Sequence, residues 1–320
     1  MECSGRGEGA FPEDANEAQV VSRVGRDSGG TFAGRPRECA VDNYPLITTT
    51  PVPSTGNVQQ RRPNQGFGSV LLVQSNQTAS YHGMQLTVTK KMSHHLLLNA
   101  FYTFSKNLNS VQLDNNQTQG GAQNMSNLAE DRSRADIDQR HAVSVSAVWQ
   151  PEFSYGGNWF AKRVLNGWSI SPIIRYHSGV PFSVSNGVDA NLDGTNNDRA
   201  NLVGDPHSGT CPNGESVGTP LCWFNTTAFV RNPVVTGSPV DGNSARNLLE
   251  QPGFKTVDLA IFRDFRFYER YSLEFRAEGT NTFNFVNLNG PNATIGHATV
   301  GQITGAASMR QLQLGLRFAF

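Results

Sequence analysis

The feature that most constrains this chain of 320 residues is a two-residue hydrophobic period that returns along most of its length. The last ten residues, QLQLGLRFAF, put Leu312, Leu314, Leu316, Phe318 and Phe320 on one side. Gln311, Gln313, Gly315, Arg317 and Ala319 fall on the other. Successive side chains of a strand point to opposite faces, so such alternation predicts a strand with one apolar and one polar face. The same period sets Met84, Leu86 and Val88 against Gln85, Thr87 and Thr89, and Leu98, Ala100, Tyr102 and Phe104 against Asn99, Thr103 and Ser105. It recurs at Val143–Trp149, Trp168–Tyr176, Val257–Ile261 and Tyr271–Ala277. With a weaker element at 67–75, the pattern predicts about eight strands, each near the ~9–11 residues of a tilted membrane strand.

No stretch approaches the roughly 20 apolar residues of a membrane-spanning helix, and only 37% of the residues are hydrophobic. A β-barrel escapes that test, because only every second residue of its strands must be apolar. Tight joints at Ser93-His94 and Glu269-Arg270 alternate with long polar connections at 107–139, 186–252 and 284–310. Outer-membrane barrels combine short periplasmic turns with longer extracellular loops. Soluble β-sandwiches rarely carry such loops on one side only. The connection 151–166 is longer than this rule predicts for the short side. Trp149, Trp168, Phe265, Phe267, Tyr271, Phe318 and Phe320 fall at one level, and Tyr102, Phe104 and Tyr176 at the other. Two aromatic levels separated by aliphatics match the girdles at bilayer interfaces. The expected fold is therefore all-β, an antiparallel transmembrane barrel portion. A β-sandwich with large residues near its edges is the soluble alternative.

Lys and Arg number 26 and Asp and Glu 26, so no net charge draws the chain to nucleic acid. Cys211 and Cys222 bracket a Pro/Gly-rich polar loop and read as a loop-closing disulfide, which implies an oxidising compartment. Zinc would need two further ligands at the usual spacing, and none stands there. Cys3 and Cys39 lie in a polar segment, 1–43, that has no signal-peptide core and reads as unstructured or as a non-native beginning. In DANLDGTNNDRAN, Asp189, Asn191, Asp193 and Asn197 with Gly194 approach a D-x-[DN]-x-[DN]-G calcium loop. Ala200 stands where the bidentate Glu belongs, and Asp198 would substitute only with different geometry. The competing reading is a polar loop built on Asx turns. A structural calcium ion here is the only cofactor suggested.

The mixed-sign run Glu130, Asp131, Arg132, Arg134, Asp136, Asp138, Arg140 reads as a solvated loop whose ion pairs contribute little. Glu274, Arg276 and Glu278 share the polar face of one strand. With Asp258 and Arg266 on its hairpin neighbour they are expected to line a lumen as cross-strand pairs. His94 and His95 sit in a tight turn and read as exposed. No G-x-S-x-G, H-E-x-x-H or P-loop is present, and no enzymatic activity is expected.

Several segments resemble one family. RRPNQGFGSVLLVQSNQTASYHGMQLTVTKKMSHHLLLNAFYTFSKNLN, DIDQRHAVSVSAVWQPEF, NGWSISPIIRYHSGVPFSVSNG, NDRANLVGDP, WFNTTAFV, LEFRAEGTNTFNFVNLNGPN and GQITGAASMRQLQLGLRFAF resemble, in order, the Oar-like TonB-dependent outer-membrane transporters. These are of the acidobacterial type that carries a carboxypeptidase-regulatory-like domain. The resemblance spans 44–320. It implies a place in the last third of a barrel of about 22 strands, with outer-membrane lipid as surroundings. It also implies that Leu316, Phe318 and Phe320 form the terminal signal read by the barrel-assembly machinery. Family members carry a signal peptide, a regulatory domain, a plug and the earlier barrel strands, and TonB acts through the plug. None of these is recognisable in this sequence.

An isolated slice of barrel would expose two edge strands to hydrocarbon, where each unsatisfied backbone group costs several kcal/mol. The chain is therefore expected to pair with missing strands, as a fragment of a transporter for an unidentified substrate. Self-closure into a small barrel that serves as anchor or adhesin is the alternative.

Overall fold

The structure, a computed structural model, describes residues 51–63, 65–66, 78–110, 122–124, 127–153, 164–267 and 271–320. Residues 1–43, the element expected at 67–75 and the joint Glu269-Arg270 lie outside the described residues. Seven long strands form one antiparallel meander: β1 (Ala79–Ser93), β2 (Leu96–Asn109), β4 (His141–Trp149), β5 (Trp168–His177), β10 (Phe254–Phe267), β11 (Tyr271–Thr280) and β12 (Gln311–Ala319). A short strand, β3 (Ser133–Arg134), adds to the far end of β2 through Leu108 and Asn109. Two small ribbons stand apart from the sheet. They are β6 (Pro181–Phe182) with β9 (Leu249–Glu250), and β7 (Asn201–Leu202) with β8 (Phe229–Val230). The described elements are strands and short 3-10 turns, and the long sheet does not close on itself.

The register carries the sequence period across the sheet without a slip of face. Leu86 stands opposite Tyr102, Tyr102 opposite Val143, and Val143 opposite Tyr176. Ile170 meets Ile261, Ile261 meets Ala277, and Ala277 meets Leu314. Because a one-residue slip would send every apolar side chain to the polar face, this agreement fixes the register. The resulting apolar face has no protein cover. Leu312, Leu314, Leu316 and Phe318 are each more than half exposed, as are Met84, Leu86 and Val88 at the other edge.

The β1–β2 joint differs by one residue from the sequence expectation. The turn residues are His94 and His95, both with positive φ (50° and 61°), between the pairs Ser93 and Leu96. Positive φ at both central positions is the two-residue hairpin geometry that matches strand twist, and it strains residues with a Cβ. The exposed ion pair of His95 with Glu152, 3.3 Å, offsets little of this. Replacing the pair by Asn-Gly should stabilise the hairpin by about 1–2 kcal/mol, measured as a higher urea midpoint with unchanged slope.

One aromatic level lies at this turn end. Trp168 meets Phe275 edge-on at 5.9 Å, and Tyr271, Phe318 and Phe320 stack in sequence at 6.0 and 6.1 Å. At the opposite end the Tyr102 hydroxyl bonds His141 Nδ1 at 2.9 Å, and Phe104 tilts over the same imidazole.

The hydrophobic core of the described residues is not in the sheet. Phe182, Val184, Ala200, Phe224, Ala228, Phe229 and Leu249 form one buried cluster, all from the long connections. Phe224 anchors it, with ring contacts to Phe182 at 5.9 Å and Phe229 at 5.7 Å. The long polar loops expected from the sequence are thus a folded cap.

Candidate functional site

The cap is held to the sheet by charged side chains that the sequence reading placed in solvent. That expectation is corrected here: Asp131 and Asp138 are 4% and 1% exposed. Asp131 accepts from Arg199 at 2.5 Å and from the Gln123 N–H at 3.3 Å, and its carbonyl accepts from Arg246 Nε at 2.9 Å. Arg246 reaches Asp136 at 3.2 Å and both the carbonyl and side-chain oxygens of Asn109, where β2 ends. Arg134 joins Asp138 at 2.8 Å and Glu250 at 2.9 Å, and Asp138 takes the Asn107 N–H at 2.7 Å. Burial lowers the Arg246 pKa, against the opposing pull of Asp136 and Asp131. For Arg134, burial works in the same direction, but Asp138 and Glu250 raise it above its ordinary value. Paired in low dielectric, these groups orient one another far more rigidly than surface pairs. Alternating signs in the sequence do not reveal this, since the partners Arg199 and Arg246 lie some 70 to 115 positions away.

Close backbone approach makes the network possible. A Cβ on Gly242 would lie 1.7 Å from the Arg199 carbonyl, so only glycine lets this strand of the cap pass beside Arg199, where its carbonyl accepts Gln123 Nε2 at 2.9 Å. Cys211 and Cys222 are joined by a disulfide with Cα atoms 5.9 Å apart, closing the Pro/Gly-rich loop against the core.

The segment with calcium-loop spacing lies in the cap. Asp189 accepts from the N–H groups of Asp193 and Gly194, both at 2.9 Å, and Gly194 has φ +89°. Asp193 accepts from Thr195, and Asn197 Oδ1 accepts from the Thr195 hydroxyl at 2.6 Å. Asn197 Nδ2 donates to the Ala122 carbonyl. Among the described residues no three His, Cys, Asp or Glu side chains stand grouped as a ready-made metal site. Asp198 is fully buried; its Oδ2 accepts from Ala190 N at 2.5 Å and Asn191 N at 3.1 Å. Burial pushes its pKa up to about 7, with a further push from Asp193 and Asp189 outweighing the two N–H bonds. A carboxyl whose folded pKa exceeds its unfolded value stabilises the fold below the unfolded pKa and loses that contribution as pH rises through the folded one. Without divalent cations the cap should therefore lose stability between about pH 4 and pH 7, and Asp198→Asn should flatten that slope in a protease-resistance profile.

Below the cap, the inner face of the sheet is polar. Asp258, Arg266, Glu274, Arg276 and Glu278 all lie on it by register. The specific pairings differ from the cross-strand hairpin pairs expected. Asp258 binds Arg175 on β5 at 2.6 Å, and Arg276 pairs along its own strand with Glu278 at 3.0 Å while lying 4.8 Å over the Phe262 ring. Glu274 stands opposite Arg317 on β12.

Between cap and inner wall lies a cleft of about 380 Å³, lined among others by His177, Val180, Gln251, Phe254, Leu288 and Asn289. His177 stacks on Phe254 at 5.3 Å. Neither a carboxylate nor a Lys or Arg lines it, so it suits an uncharged polar group and offers no acid–base pair for catalysis.

Residues 12–313 match the family model described as outer membrane beta barrel domain. The chain belongs to this family. The barrel domain accordingly resides in the outer membrane, its bare apolar face is the lipid face, and the polar face is the inner wall. No curated protein matches the sequence. The cap then lies at the end of the barrel domain where long loops emerge, and the His94-His95 turn at the end of short turns.

Proposed function

We propose that this barrel domain is the C-terminal barrel segment of an Oar-like TonB-dependent outer-membrane transporter. The observation that carries the reading is the odd, open sheet. Seven antiparallel long strands leave β1 and β12 running in the same direction, so these two edges cannot meet antiparallel. Lipid supplies no hydrogen bonds to an open edge. A closed, fully antiparallel wall therefore needs an odd number of further strands between them. A large transporter barrel supplies such a complement.

The segments that carry the family resemblance support the same reading. VPFSVS, NDRANL and WFNTTAFV contribute Phe182, Val184, Ala200, Phe224, Ala228 and Phe229 to the cap core, so they specify an architecture and not a scattered likeness. In this reading the cap meets the substrate first and the neutral cleft takes an uncharged polar part of it. The charged inner wall houses a plug through which TonB acts. Import requires that plug, so the segment by itself does not transport. Leu316, Phe318 and Phe320 on β12 offer the exposed apolar terminus that the barrel-assembly machinery reads.

Electrophoretic mobility of the refolded chain in detergent, heated and unheated, tests the proposal. The chain alone should show no heat-modifiable monomer. A compact, heat-modifiable monomer would overturn the proposal in favour of a small self-closed anchor barrel.

A further inference from the structure

The negative charge of the cap gathers around one side chain, Asn191, which is 3% exposed. Its Nδ2 lies 3.0 Å from the Gln123 carbonyl, 3.1 Å from Asp241 Oδ1 and 3.3 Å from Asp193 Oδ2. An amide nitrogen has two hydrogens, so three oxygens, two of them carboxylate, oversupply it with acceptors. Beside it, the fully buried Asp198 presents a second oxygen, Oδ1, with no hydrogen-bond partner, while its first is held by the N–H groups of Ala190 and Asn191. An orphaned oxygen on a buried carboxylate costs about 1–3 kcal/mol or more, and neighbouring carboxylates add to that cost.

We propose that this part of the cap is a calcium site, with Asp193, Asp198 and Asp241 supplying carboxylate oxygens around Asn191 and Asp189 shaping the turn. A half-turn of the Asn191 amide exchanges its nitrogen for its oxygen. The position now crowded by acceptors then faces a cation with amide, carboxylate and Gln123 carbonyl oxygens, at the loss of the 3.1 Å bond from Asp193 N. All the donors are hard oxygens of mixed kind, which suits calcium, with its six to eight ligands and tolerant geometry, over magnesium. The Asp189 bond to the N–H of Gly194, with that glycine's positive φ, forms the sharp turn that calcium loops require. Asp241 was outside the sequence motif; it arrives from about fifty positions downstream. The ion would tie 189–198 to Gln123 and to the 241 region, the same three segments that the Asp131–Arg199 network joins.

The test uses the full chain, extracted from outer membranes into a zwitterionic detergent so that lipid-bound ions do not contribute. Protease cleavage within 186–252 is followed with the calcium chelator EGTA, with calcium or with magnesium, each ion near the ~1 mM expected for an extracellular module. Calcium should slow cleavage at least tenfold, and magnesium should not. Asp193→Asn and Asp198→Asn should each abolish the calcium effect, whereas Asp205→Asn, at an exposed turn, should retain it. Equal rates for the unaltered chain in calcium and in chelator would sink the proposal, and so would a full calcium effect in Asp193→Asn. Equal protection by magnesium would reduce the site to a general divalent attraction and overturn the calcium assignment.

Discussion

Replacing Asp131 by alanine is expected to unfold the cap while leaving the strands of the wall paired. The carboxylate is 4% exposed, and the Arg199 guanidinium it binds at 2.5 Å is nearly as deeply buried. Removing one partner of such a pair strands the other charge in low dielectric, which costs about 3–5 kcal/mol. The loss should propagate, because Arg199 also donates to the Ser244 carbonyl at 2.8 Å, and the N–H of Gln123 loses its acceptor. A cap core of seven small to medium side chains holds little reserve against a loss of this size. The expected result is rapid proteolysis within 122–140 and 186–252, with fragments of the wall protected. Equal protease resistance of the two forms would show that the network contributes no net stability.

Arginine in place of Leu314 should destabilise the barrel domain by about 2–4 kcal/mol, the depth-dependent cost of a cation at the centre of a lipid face. Leu314 is 76% exposed, so in a water-soluble sheet the same change would be neutral or favourable. The neighbouring Gln313→Arg is the internal control. Gln313 stands opposite Glu278 on the inner wall, where an opposite charge across the strands contributes roughly 0.2–1 kcal/mol. The difference between these adjacent substitutions, read as folded yield in lipid vesicles, isolates the solvent on each face. If both were tolerated equally, the apolar rows would not be lipid-covered.

The wall was legible in the sequence because its physics is local. A strand sends alternate residues to opposite faces whatever its partners, so Leu312–Phe318 and Met84–Val88 announce their face without knowledge of their neighbours. The hairpin joints were placed to within a residue for the same reason. The cap was not legible. Its core residues sit singly among Asn, Gly, Asp and Thr in segments with no period, and Phe224 and Phe182 are brought together from about forty positions apart. The run Glu130–Arg140 reads as solvent-facing by composition, and only its burial against Arg199 and Arg246 reverses that. The calcium-like spacing was visible, but Asp241 and the burial of Asp198, on which the proposed site depends, were not.

By itself, then, the sequence determined the two faces of every long strand, the disulfide candidate and the alternation of short and long connections. All of these follow from a residue's immediate neighbours along the chain. The tertiary structure alone decided that the long connections fold into one buried body, which carboxylate meets which guanidinium, and that the wall stays open with parallel-running edges. Those outcomes depend on segments distant in sequence sharing a low-dielectric space, where the cost of an unpaired charge or hydrogen-bonding group selects the partners.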